Sequence, residues 1–306
     1  MDMGFLSGAD LKNRLSRDLG NPQETDLGRM VLRTLNGSRD DIRAFGHDLG
    51  VSQEPSIDAF LKQRTECLDI GRLAVWLCIL EAERNALKKD ITSYWLYRFL
   101  SRLFDGIIDP SKLDRPDSKG AGFEFLHGLT INTLNYDRLA EHTIITWMKN
   151  RFPNLDLVAG NYVSGLNPGG VVRHLHGSLG PVLGESRIDF GAAWPDDPQE
   201  AKERASRLVF WFEPTNSSQA YGRTNRIVEL RGVHVVVGFG YHDMISNRFR
   251  PPESPDARLH RIIATSIDDC RSRAAQWLQS VYGQRSISIN HLPGNATCED
   301  AIRALF

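Results

Sequence analysis

Apolar residues recur at helical spacing through the first third of the chain. Ser7 and Asp10 form an S-x-x-D start signal for a helix through Leu11 and Leu15, with Gly20 and Pro22 as stop signals. Further helical patterns cover 26–35, 40–49 and 57–67, the last preceded by Pro55 and Ser56. The longest spans 70–87, where Leu73, Leu77, Leu80 and Leu87 hold to one stripe, and an aromatic-rich helix follows at 94–104. Helix follows helix without a strand between, which predicts an all-helical layer or insertion.

Residues 109–122, rich in Pro, Asp, Lys, Ser and Gly, read as a solvated loop. Beyond them the pattern becomes strand–helix alternation. Strands are predicted at 129–134, 171–175, 208–212, 233–237 and 286–289, and helices at 138–150, 198–207, 220–230, 257–267, 270–282 and 298–305. A loop occupies 154–170. The run at 233–237 has His234 as its single polar residue, as expected of a parallel strand covered on both faces. The expectation is one α/β domain over 1–306, with a helical insertion at about 20–108 and a strand–helix core with C-terminal helices from about 123.

Charge narrows the partners. With 37 basic against 38 acidic residues, no global field draws in nucleic acid or an anionic membrane. The four cysteines, Cys67, Cys78, Cys270 and Cys298, form no CxxC pair, so reduced thiols and a cytoplasmic setting are expected. The apolar run at 73–80 is cut off by Glu81, Glu83 and Arg84, far short of the roughly 20 residues of a membrane span. No secretory leader pattern is visible at the start.

Three β-prone runs end abruptly in polar residues. They are Thr133-Leu134-Asn135-Tyr136-Asp137, His174-Leu175-His176-Gly177-Ser178, and Gly238-Phe239-Gly240-Tyr241-His242-Asp243. In open α/β sheets ligands sit beyond the carboxyl ends of strands, so the three exits read as one site drawn from distant parts of the chain. Each has a plainer reading. Asn or Asp after a strand is also an ordinary helix cap, a strand-end histidine is also a structural one, and Gly-x-Gly serves many tight turns. His174 and His176 would share one strand face, but two histidines fall short of a metal cage, and no metal is expected. A one-residue bulge would decide which of the two meets a ligand.

Together these residues resemble the sirtuin superfamily. Thr133, Asn135 and Asp137 resemble its T-x-N-x-D motif, His176-Gly177 its catalytic His-Gly, and Gly238 to Asp243 the G-x-G-x-x-D of the bacterial sirtuin-like branch. Ser56 to Leu61, the long helix around Gly71 to Glu81 and the aromatic 94–104 segment are similar to that branch too. The likeness covers roughly Met3 to Asn247. It implies a Rossmann-like parallel sheet flanked by helices and an NAD+ glycohydrolase of bacterial antiphage defence, releasing nicotinamide and ADP-ribose. Such members are commonly oligomers, sometimes with an ATPase or Argonaute-type partner.

Residue by residue, the resemblance makes Asn135 the group that positions the nicotinamide ribose or the attacking water. Asp137 would hold the nicotinamide end or brace Asn135, and His176 would act on the ribose hydroxyls or activate water. Tyr136, Gly177, Ser178, Gly238, Gly240 and Asp243 would contact the cofactor. The chemistry agrees, because cleavage of the glycosidic bond builds positive charge on the ribose and calls for preorganised polar groups and a base.

Two departures stand out. The paired CxxC motifs of the deacylases are absent, which speaks against protein deacylation. The family's Gly-Ala-Gly-x-Ser phosphate loop has no counterpart, since Met1 falls where it should end. A start assigned too late is the preferred explanation; a true loss would weaken NAD binding and favour a non-catalytic NAD or ADP-ribose sensor or assembly subunit. Direct nucleic-acid binding is not expected.

Overall fold

The computed structural model describes residues 5–105, 129–153, 171–174, 178–182, 187–210, 212–213, 232–236, 259–264, 271–282, 288–292 and 297–305. These form a mixed α/β, mostly helical chain whose contacts divide into two compact units, 1–213 and 214–306. The expected loops at 109–122 and 154–170 and the expected helix at 220–230 lie outside the described residues.

The first unit opens with α1 (Gly8–Gly20), α2 (Asp26–Leu35), α3 (Arg39–Val51), α4 (Ile57–Gln63), α5 (Leu68–Ala86) and α6 (Trp95–Leu103). Their starts are set by local caps. The Ser7 hydroxyl accepts from the Asp10 N–H at 3.1 Å, Thr25 from Gly28 at 3.0 Å and Ser56 from Ala59 at 3.2 Å. Each such cap is worth about 1 kcal/mol. The expected helix at 57–67 ends earlier, at Gln63, and resumes as a 3-10 turn over Thr65–Cys67. Between them the Arg64 guanidinium binds Asp48 at 3.0 Å and Glu66 at 2.5 Å.

Helix α5 is the centre of the main core. Leu73, Trp76, Leu77 and Leu80 are all fully buried and pack with Leu15, Leu19, Phe45 and Leu61 from the surrounding helices. Helices α1 and α3 cross so closely that a Cβ on Gly46 would lie 2.3 Å from the Gly20 backbone nitrogen. Only glycine fits there.

Among the described residues of this unit the strands are β1 (Ile131–Thr133) and β2 (Val172–His174), with α7 (Leu139–Arg151) between them in the chain, paired in parallel with Thr133 opposite His174. A second core, Leu96 and Leu100 of α6 and the adjoining Phe104 against Ile144, Trp147 and Met148 of α7, reaches β2 at Val172 and the preceding Val171. Helix α8 (Pro198–Ala205) follows, capped by Asp197. The strand expected at 208–212 is absent from its described residues. The Leu208 N–H bonds back to the Ala205 carbonyl, and Phe210 and Glu213 bond to each other, the Glu213 carboxylate accepting from the Phe210 N–H at 2.7 Å. A side chain supplies the acceptor that a neighbouring strand would otherwise provide.

The second unit holds β3 (Gly232–Val236), β4 (Leu259–Ala264), α9 (Arg271–Tyr282), β5 (Ser288–His291) and α10 (Cys298–Leu305), with the strands parallel in the order β3-β4-β5. The expected helix at 257–267 is instead strand β4. Leu259, Ile262 and Ile263 satisfy helical spacing, but a short apolar run fits either period, and the paired β-branched Ile262–Ile263 favours a strand. Parallel neighbours on both sides decide it, leaving Ile263 and Ala264 fully buried.

Candidate functional site at the β1 and β2 exits

Two parallel strands of three residues deliver their carboxyl ends side by side. Beyond β1 the chain turns, with the Asn135 N–H donating to Thr133 Oγ1 at 3.0 Å, and the Asn135 residue is exposed. Its carbonyl receives His174 Nδ1 at 2.7 Å, while His174 Nε2 lies 2.6 Å from Glu141 Oε1. A carbonyl only accepts, so Nδ1 carries a proton, and the short Nε2–Oε1 approach places a second proton between the ring and the carboxylate, an arrangement that favours the charged ring. Burial works against that charge. The Glu141 charge and hydrogen bond and the Asn135 carbonyl outweigh it and raise the His174 pKa above its ordinary 6.5. The side chains of His174 and Glu141 are only 7% and 4% exposed. Glu141 Oε2 is buried and finds no hydrogen-bond partner among the described residues.

Asp137 caps the start of α7, its carboxylate accepting from the Leu139 N–H at 3.1 Å. Desolvation pushes its pKa up to about 6 against that hydrogen bond, with the charges of Glu83 and Glu141 adding to the rise. Tyr136 points into the helical layer. Its hydroxyl donates to Asp58 Oδ1 at 2.8 Å, and its ring meets Phe210 edge-on with centroids 6.1 Å apart. Burial in turn raises the Asp58 pKa to about 6, with the Tyr136 hydrogen bond opposing it. Ser178 accepts from the Gly180 N–H at 3.3 Å, where Gly180 holds a φ of +107°. His176, Gly177, Gly238, Gly240 and Asp243 lie outside the described residues. The structure thus brings together Asn135, Asp137 and His174 and turns Tyr136 toward α4.

Behind the exits sits a fully buried ion pair. Arg138 directs its backbone N–H and Nε to Glu83 Oε1, each at 3.0 Å, and Nη2 to Oε2 at 2.5 Å. Its remaining donors reach the carbonyls of Ile188 at 2.6 Å and Asp189 at 3.3 Å, and the Gly191 N–H returns to Glu83 at 3.2 Å. One charge pair therefore binds α5, the head of α7 and the 188–191 turn together.

Sequence reasoning passed over Asp58, Glu83, Arg138 and Glu141. A signal existed for two of them. Glu83 stands on the same stripe as Leu80 and Leu87, and Glu141 one turn before the buried Ile144 and Ile145; a carboxylate on an apolar stripe requires a buried partner.

A cavity of about 340 Å³ opens on the flank of α7, lined by residues including His142, Lys149, Arg187 and Phe190 and by none of the exit residues. His142 stacks flat on Phe190 at 4.1 Å, and desolvation, aided by the charges of Lys149 and Arg138, lowers its pKa to about 4. Among the described residues no group of three or more His, Cys, Asp or Glu side chains forms a metal cage. No helix among them is long and apolar enough to cross a membrane.

Comparison with family models, with curated proteins and with solved structures finds no match to this chain.

Proposed function

We propose that the chain is an NAD+ glycohydrolase of the sirtuin-like kind, built on a Rossmann-like parallel sheet flanked by helices. The observation that carries the reading is the pair of parallel strand exits at which exposed Asn135 stands beside Asp137 and the His174–Glu141 pair. In the reaction the bond between the nicotinamide nitrogen and C1′ of the ribose breaks, its electron pair leaving with nicotinamide. Water adds to C1′ and gives up a proton to a base. Asn135 would hold the ribose or the water, Asp137 the nicotinamide end, and His176 would serve as the base. Tyr136, Gly177, Ser178, Gly238, Gly240 and Asp243 complete the proposed cofactor contacts, with Tyr136 contributing through the turn it anchors.

Cytoplasmic antiphage defence, assembly into a homo-oligomer and an ATPase or Argonaute-type partner belong to the same proposal. A second reading, a non-catalytic ADP-ribose-binding subunit, is favoured by one observation: Asp137 and His174 are already engaged in capping and bridging. Nicotinamide release from NAD+ by the purified chain, beside a His176→Ala variant, separates the two. Release that disappears with the substitution is the expected result. Binding of ADP-ribose without release would overturn the enzyme reading in favour of the binding one.

A further inference from the structure

His174 is the one histidine of the two strand-exit histidines whose surroundings are described, and both of its ring nitrogens are occupied. Nδ1 is spent on the Asn135 carbonyl and Nε2 on Glu141, 39 and 33 residues away in sequence. With Nδ1 donating to a carbonyl and Nε2 closed off by Glu141, neither ring nitrogen offers a free lone pair with which to take a proton from water. What the ring does hold is backbone. Asn135 has its own N–H tied to Thr133 Oγ1 and its carbonyl tied to His174, so the peptide units on both sides of its exposed side chain are fixed. Glu141, on the first turn of α7, in turn fixes the ring.

We propose that His174 is a positioning residue, whose ring, wedged between Glu141 and the Asn135 carbonyl, sets the backbone from which the Asn135 side chain projects, and that the base of the reaction is a different residue. The inference rests on the glycohydrolase reading for its catalytic consequence, but its structural half stands without it.

Two double variants isolate the Asn135 contact. In both, Glu141→Gln removes the carboxylate that loss of the histidine would strand. His174→Asn places an amide donor near the position of Nδ1 and retains the link to Asn135; His174→Gln places it near Nε2 and retains only the link to residue 141. The reference is the Glu141→Gln single variant, with folding of all three compared by urea unfolding. In nicotinamide release, the His174→Asn double variant is expected within about threefold of the reference. The His174→Gln double variant is expected to lose at least about tenfold in kcat with KM little changed, the mark of lost orientation rather than lost binding. Equal kcat in the two doubles, or a better His174→Gln double, would overturn the proposal.

Amide hydrogen exchange over residues 135–139 supplies a readout independent of turnover. Faster exchange there in the His174→Gln double alone is expected, and equal exchange in both doubles would also overturn the proposal. If the wild-type chain releases no nicotinamide while the exchange pattern is as expected, the glycohydrolase reading fails and the positioning role survives.

Discussion

The guanidinium of Arg138 and the carboxylate of Glu83, 55 residues apart, meet with neither side chain exposed to solvent. Desolvating two charges is costly, and here the cost is offset by saturation: the backbone N–H groups of Arg138 and Gly191 and the loop carbonyls of Gly180, Ile188 and Asp189 take up the remaining bonding capacity. The pair is therefore fragile toward loss of one member. Glu83→Gln is expected to destabilise the protein by about 3–5 kcal/mol, since it leaves a buried guanidinium without a counter-charge. A Glu83→Met/Arg138→Met double variant should lose clearly less. Urea unfolding of both would decide, and a single variant as stable as wild type would refute the assignment.

The α1–α3 crossing yields a paired prediction. Gly46→Ala drives a methyl to within 2.5 Å of the Leu19 and Gly20 backbone, whereas Gly20→Ala meets nothing within 4 Å. Overpacking of this kind costs roughly 1–3 kcal/mol. Gly46→Ala should lower the melting temperature, while Gly20→Ala should leave it unchanged or raised through a stiffer unfolded chain. The opposite ranking would mean that the helices are farther apart than described.

Stability against pH carries two opposed contributions. Asp58 and Asp137 have folded-state pKa values raised to about 6, so the folded chain binds more protons than the unfolded one between the ordinary carboxyl value of 3.8 and about 6. Their contribution is full below that window and lost as pH rises through it. His142, lowered to about 4 from 6.5, acts in reverse: its contribution is present above 6.5 and lost as pH falls toward 4. Asp58→Asn should therefore make the slope of stability against pH more positive between about pH 4 and pH 6. His142→Phe, which keeps an aromatic ring on Phe190, should make it more negative. Unfolding free energies across that window read both, and shifts of the same sign would be incompatible with these environments.

Asn135 offers the sharpest separation of function from fold. Its residue is exposed, and the bonds it makes to Thr133 and His174 use backbone atoms alone. Asn135→Ala should change stability by no more than about 0.5 kcal/mol, as at most surface positions. Under the proposed reaction it should lower kcat for nicotinamide release by roughly 10²–10³-fold, the scale on which one preorganised polar group acts on developing charge. A variant that unfolds early, or one that turns over normally, would remove Asn135 from the proposed role.

The helical layer is legible in the sequence because its signals are local. Ser7 with Asp10, Thr25, and Ser56 each announce a helix within three residues of where it begins, and Asp26–Leu35 coincides with its predicted bounds. Strand β4 is not legible, because its Leu259–Ala264 run fits two periods and the choice rests with β3 and β5 on either side. The same applies to Phe210, whose acceptor is a side chain. At the site, the motif positions Asn135 and Asp137 can be picked out as strand-exit residues. The partners that give them their environment cannot, since Glu141 to His174 and Asp58 to Tyr136 are pairings across 33 and 78 residues. Periodicity reports which face a residue occupies and carries no information about which distant residue shares it.

The tether from Tyr136 to Asp58 bears on how this protein can be cut down. It would be natural to trim away the leading helices and keep the strand–helix portion as a minimal fragment for testing the proposed reaction. Yet the residue after Asn135 is moored to α4, and the next but one, Arg138, to α5. A fragment so trimmed would retain every motif residue and lose the wall they lean on, and its inactivity would say nothing about the intact chain.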